Sequence, residues 1–291
     1  MSKWVQLFGS ATLVISLMFA AGLQLQVADL VALRERPRPL WLALLVNLVA
    51  VPGLAWVLLA SLDAPAEITL GLMLCAAAPG GPAAVLYANT ARANLPYTVG
   101  LTIVLPILGV LTTPLSLALV PGLPSDLRIP AGPVIGSLIG FQLVPLGFGM
   151  LLRARRPEWA ERLTPWAKGT ANATLGLLVV VMLVLQGHVL LETSGAAWVA
   201  MLGTGAIALV LGGLAARPER DSVRAGAIVA ISRNISVSIM LASTFFVDPV
   251  VNGTVLTFGL IAFVGPLVLA TFWRRSARDP GGPDATPPPR T

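Results

Sequence analysis

Charge is scarce in this sequence. Charged residues fill 11% of its 291 positions, and Asp and Glu together number 13. A soluble chain usually carries about 25%, so this one cannot cover a water-facing surface. There is one cysteine, Cys75, and one histidine, His188. A lone cysteine makes no internal disulfide and no thiolate cluster. No HExxH, Walker, GxSxG or paired-cysteine motif is present. Intramembrane metalloproteases, ATP-driven pumps and serine hydrolases therefore lack their signature residues here, and neither an enzyme activity, a cofactor nor a metal centre is expected.

What is present is apolar. Hydrophobic residues make up 56%, and the mean hydropathy is +0.85. A spanning helix needs about 20 apolar residues. Windows of that length predict an all-α, polytopic membrane protein of nine transmembrane helices. They lie near Leu7–Gln24, Leu40–Leu62, Ile68–Thr90, Tyr97–Leu119, Ala131–Leu152, Gly169–Leu191, Ala196–Ala215, Ala225–Phe246 and Val250–Trp273. The first reads as a retained span, because Arg34, Arg36 and Arg38 follow it. Residues 1–273 form one transmembrane domain, and the Pro- and Gly-rich tail 274–291 is expected to be disordered. The basic connection Arg153–Lys168 is expected to be an interfacial helix.

Threading nine spans puts sixteen of the 19 basic residues on one side, Lys3 and Arg128 on the other, and Arg233 inside a span. Positive residues stay inside, so the N-terminus is expected outside and the C-terminus in the cytoplasm, in the cell membrane. The basic balance belongs to this fringe, and nucleic acid is not an expected partner.

Two spans are interrupted. The third contains Pro79-Gly80-Gly81-Pro82, and the eighth contains Ser232-Arg233-Asn234. Proline removes a helix donor and glycine loosens the backbone. Non-helical backbone at membrane depth survives only where it is packed in protein or lines a cavity. The two spans run in opposite directions at corresponding places in the two halves, as an inverted repeat with two broken, crossing helices requires. Such pairs point to a transporter's binding site, and half-helix ends offer N–H groups to an anion.

Arg233 is the only charged residue near mid-span. A central arginine costs about 2.5–3.5 kcal/mol on insertion scales. Three readings are open: it bonds backbone carbonyls at the break, it pairs bidentately with a substrate carboxylate or sulfonate, or its guanidinium takes the place of a metal cation. The expected substrate-binding residues are Arg233, Asn234, Gly80, Gly81, Pro82, Asn47, Thr98 and Thr102. Polar groups such as the last three also tie membrane helices together.

Several stretches resemble the bile acid/sodium symporter family. Leu17–Leu25 is similar to its Met-Gly-Leu-x-Leu segment, and Asn47–Pro52 to its Gln-Phe-x-x-Met-Pro. Ala66-Glu67-Ile68 leading to Ala78–Gly81 resembles the start of its first broken helix. Ala91–Asn94 resembles its Ala-Arg-Gly-Asn, and Arg233-Asn234 its second broken helix. The resemblance runs from Leu17 to Leu267. It implies a core domain with two crossing broken helices, a panel domain that moves against it, small organic anions as substrates and often sodium as the driving ion.

The departures bear on sodium. The family's first sodium site draws on Ser-Asn after Pro-Gly-Gly-Thr; here Pro82 replaces the Thr, and Ala84 and Val85 replace the pair. Its central Glu falls on Val229 and its Gln on Arg233. A hard cation wants several oxygen ligands, so Arg233 is expected to replace bound sodium electrostatically. The expected function is a secondary transporter of small organic anions by alternating access, without the family's usual sodium sites. The alternatives are a sodium-coupled symporter of the same family, or a channel or non-transporting receptor on this scaffold.

Overall fold

The computed structural model describes residues 3–24, 33, 37–124, 130–192, 194–246 and 248–276. Arg34, Arg36, Arg128, the side chains of Lys3 and His188, and tail residues 277–291 lie outside the described set. Every regular element in that set is helical: α1 Lys3–Gln24, α2 Pro37–Ser61, α3 Ala66–Ala76, α4 Ala84–Thr90, α5 Leu95–Ala118, α6 Ala131–Arg155, α7 Pro157–Glu192, α8 Gly195–Ala215, α9 Arg220–Ile231, α10 Ile235–Phe245 and α11 Pro249–Ser276.

Among the described residues six stretches are long and apolar enough to cross a membrane: α2, α5, α6, α8, the α9–α10 pair and α11 up to Arg275. Phe8–Gln24 and Ala66–Ala76 are shorter apolar helices. The chain is therefore a multi-pass membrane protein. Large apolar side chains such as Leu111, Val49 and Phe272 are exposed, as lipid-facing surfaces require.

The α9–α10 pair is the central element. Of its most apolar stretch 94% is buried, against 33% for α11. Around it pack α1, α4, α5, α8 and α11, with α3 against α11 and α10. A second group, α1, α6 and α7, packs together on one side. The α1–α6 crossing is tight because both helices present glycine. A Cβ on Gly149 would lie 2.6 Å from the Phe19 carbonyl, so backbones approach as small residues allow in membranes.

The expected interfacial helix is not a separate element. α6 runs on to Arg155, and α7 starts afresh at Pro157 and continues to Glu192. Pro at the first position and Glu158 in the first turn are helix-start signals. Ala160, Leu163 and Ala167 share one face, at helical spacing, and pack on Ala20 and Leu23 of α1. Trp159 and Trp166 are exposed. This apolar stripe docks the basic segment on α1 and keeps it in line with the rest of α7. At the other end α11 extends to Ser276, three residues past the expected limit, with Arg274 and Arg275 at its negative dipole end.

Two helices carry a π turn. In α2 it is Val46–Ala50, and in α6 it is Ile139–Leu143. Val-Pro follows each one. Pro52 and Pro145 have no N–H to give. The Val51 N–H instead reaches Val46 O, and the Val144 N–H reaches Ile139 O. Each turn contains one amide side chain, Asn47 or Gln142.

Candidate functional site

The two breaks meet. The Gly81 N–H donates to Ser232 O (2.9 Å), and the Asn234 N–H donates to Ala78 O (2.9 Å). This reciprocal pair locks one extended segment on the other. Gly81 permits it: a Cβ there would sit 2.5 Å from both Ser232 O and Arg233 O. Gly80 has φ +77, which L residues with side chains adopt only with strain. Its α-carbon faces Leu105 and Pro106 of α5, where a Cβ would come within 2.8 Å. Pro79 lies over Gly109 of the same helix. The expected crossing of two broken helices is thus the observed one.

A helix ending inside a membrane leaves its last carbonyls without partners, and buried ones must find donors. At the end of α3 each does. Leu74 O accepts from Ser238 Oγ (3.1 Å), Cys75 O from Arg233 Nε (3.4 Å), and Ala76 O from Arg233 Nη2. Ala77 O accepts from Thr113 Oγ1 (2.7 Å), and Ala78 O from the Asn234 N–H. Five successive carbonyls are satisfied from α5 and from the other break.

Arg233 holds this arrangement together. It is 3% exposed. Besides Cys75 O and Ala76 O, it donates through Nη1 to Asn47 Oδ1 and through Nη2 to Asn47 O, both at 3.1 Å. Four of the five N–H groups of a guanidinium are so engaged. All four acceptors are neutral oxygens. Among the described residues the ion pairs are Arg153–Glu161 and Arg224–Asp221, both at helix ends. The buried positive charge meets carbonyl dipoles at a helix C-terminus, which favour a cation, and no carboxylate among its hydrogen-bond partners.

Asn234 caps α10. Its Oδ1 accepts from the Val237 N–H (3.4 Å) and from Ser236 Oγ (2.8 Å). Its Nδ2 donates to Gln142 Oε1 at 3.1 Å. Gln142 in turn donates through Nε2 to Pro106 O at 2.8 Å.

The structure brings Arg233, Asn234, Gly80, Gly81 and Asn47 to one place. Pro82 lies half-buried in the turn that leads into α4. Thr98 and Thr102 are buried on α5, and their hydroxyls donate to Asn94 O and Val99 O of their own segment. Gln142 was not among the expected residues. Its signal was an amide just ahead of Val-Pro, as at Asn47. Ser232 at the break keeps a buried hydroxyl with no partner among the described residues.

The sequence profile of the Sodium Bile acid symporter family matches residues 11–193. The chain belongs to this family. It is 24% identical over 145 residues to the P3 protein of Homo sapiens, covering 49% of this chain and 30% of that protein. The P3 protein of Bos taurus is 23% identical over the same shares. The match thus spans under a third of the P3 proteins' length. A longer match, 24% over 270 residues, covers 90% of this chain and 82% of YocS of Bacillus subtilis, which is described as an uncharacterized sodium-dependent transporter.

Ala84 and Val229 are fully buried in one apolar cluster with Tyr87, Leu101 and Leu105. The described residues hold no cluster of three His, Cys, Asp or Glu. The oxygens of Asn47, Cys75 and Ala76 converge on a guanidinium.

Proposed function

We propose that the chain is a secondary transporter of small organic anions, carboxylates or sulfonates. It works by alternating access in the cell membrane, with nine spans, the N-terminus outside and the C-terminus in the cytoplasm. The two halves form an inverted repeat whose broken helices make the site. The observation that carries this reading is Arg233, a buried guanidinium at the crossing whose hydrogen-bond acceptors are all neutral. Such a site keeps a net positive charge in a low-dielectric setting, where an anion gains most. Asn234 and the segment Gly80-Gly81-Pro82 supply the substrate contacts. Thr98 and Thr102 form the wall on the α5 side. Asn47 holds the guanidinium, which acts chiefly as a fixed charge because one N–H remains to it.

That fixed charge takes the role of a bound cation, so transport does not require sodium. The YocS relative favours the competing reading of sodium coupling. Uptake of carboxylates and sulfonates into proteoliposomes separates the two. The expected result is saturable uptake with counterflow, unchanged when choline replaces sodium. Uptake rising saturably with sodium overturns the sodium-free reading. Non-saturating flux without counterflow marks a channel, and no flux marks a receptor.

A further inference from the structure

One polar bond at the crossing ties α6 to the broken pair. Gln142 stands on α6, within the α1–α6–α7 group, while Asn234 belongs to the central broken pair. Away from the breaks α1 packs directly on α10, with Ser10 Oγ bonded to Ser243 Oγ at 3.2 Å. Gln142 touches both sides of the crossing. Its Nε2 bonds the carbonyl of Pro106, whose ring lies against Gly80, and its Oε1 bonds Asn234.

The orientation of Asn234 is fixed. Because its Oδ1 caps α10, the amide cannot flip without losing the Val237 and Ser236 bonds. Its Nδ2 therefore presents a donor toward α6. Gln142 is 3% exposed and Asn234 1%, and a buried donor left unmet costs about 1–3 kcal/mol. The occupant of that donor must be an acceptor. A carboxylate or sulfonate oxygen accepts about twice as strongly as a neutral amide oxygen, and Arg233 is the adjacent residue.

We propose that Gln142 is a built-in stand-in for the substrate. Its Oε1 holds, on Asn234 Nδ2, the position that an anionic oxygen of the cargo takes, and the cargo enters by displacing it. This rests on the reading of the chain as an organic-anion carrier. The π turn gives the side chain a way out. Moving that bulge by one residue rotates Gln142 by about 100° around the α6 axis, and π turns recur at functional sites. Displacement also breaks the polar bond between α6 and the broken pair, so cargo binding frees α6 at the crossing.

The test uses the full chain in nanodiscs with a panel of acetate, pyruvate, benzoate and ethanesulfonate. Thermal unfolding is titrated with each anion for the parent, Gln142→Ala and Gln142→Glu. In parallel, spin labels at Arg155→Cys and Arg220→Cys, both exposed, with Cys75→Ala, report the distance between α6 and α9 without ligand. Gln142→Ala should melt lower when empty yet bind about tenfold tighter, since the unmet donor is satisfied only by the anion. Gln142→Glu should bind about tenfold weaker, because a tethered carboxylate competes. The spin–spin distances should broaden in Gln142→Ala. A merely structural amide would lower melting without tightening binding, and that result overturns the proposal. If no panel anion stabilises the parent, the carrier reading fails separately. The ligand-free distances then decide: broadening upholds the latch and an unchanged distribution removes it.

Discussion

Arg233 grips Asn47 twice, with Nη1 on the side-chain oxygen and Nη2 on the main-chain oxygen, each at 3.1 Å. The π turn of α2 makes this possible by presenting both oxygens of one residue to a single guanidinium plane. A bidentate pair to a neutral residue holds the arginine without cancelling its charge. Position 47 therefore controls geometry and charge independently.

Asn47→Asp exploits that separation. The carboxylate keeps the fork geometry and adds an ion pair, but it gives up the Asn47 Nδ2 bond to Ala43 O, so thermal stability should stay within about 1 kcal/mol of the parent. The site's net charge falls to zero, and anion uptake should drop by at least tenfold. Asn47→Ala keeps the main-chain acceptor but takes the side-chain oxygen from Arg233 Nη1 and the amide donor from Ala43 O, and should lower stability by about 1–3 kcal/mol. Unfolding and uptake measured on both variants check the pair. Full uptake by Asn47→Asp would contradict the role given to the charge.

Arg233 itself separates by substitution. Arg233→Ala strips donors from Cys75 O, Ala76 O and two oxygens of Asn47. Stability should fall by about 3 kcal/mol or more, and anion binding should be abolished. Arg233→Lys keeps a positive charge but has a point-like head instead of a fork. It should retain measurable uptake at lower stability. Unchanged affinity in Arg233→Ala, with only reduced yield, would make the arginine structural.

The carbonyls at the end of α3 give a third prediction. Thr113→Val leaves Ala77 O unmet, and Ser238→Ala leaves Leu74 O unmet. Each should lower unfolding free energy by about 1–2 kcal/mol. Because both oxygens belong to one short segment, the double variant should depart from additivity. Thermal unfolding of the two singles and the double measures it.

Both breaks were legible in the sequence because their residues are local breakers: Pro79-Gly80-Gly81-Pro82 in one and Ser232-Arg233-Asn234 in the other. The helical rods were legible from apolar run length. What Arg233 grips was not, because Asn47 lies 186 residues away and carbonyls carry no side-chain signature. Gln142 escaped notice as a neutral amide in an apolar run. The interfacial expectation for Arg153–Lys168 followed its basic composition. The stripe Ala160, Leu163 and Ala167, visible at helical spacing, marked the face that packs on α1.

Gly81 is the sharpest test of the crossing. Gly81→Ala places a methyl 2.5 Å from two backbone oxygens of the other break. Backbone cannot swing aside as a side-chain end does, so the two segments must separate. That stretches the Gly81–Ser232 and Asn234–Ala78 hydrogen bonds and disturbs every donor that Arg233 supplies. Gly53 and Gly147 serve as controls, since a Cβ at either meets nothing within 4 Å. Both lie in helices, where Ala is favoured over Gly by about 1 kcal/mol. Gly53→Ala and Gly147→Ala should therefore melt at or above the parent temperature with uptake intact. Gly81→Ala should lose uptake and melt well below it. Equal melting of all three would mean that the breaks do not touch in the membrane.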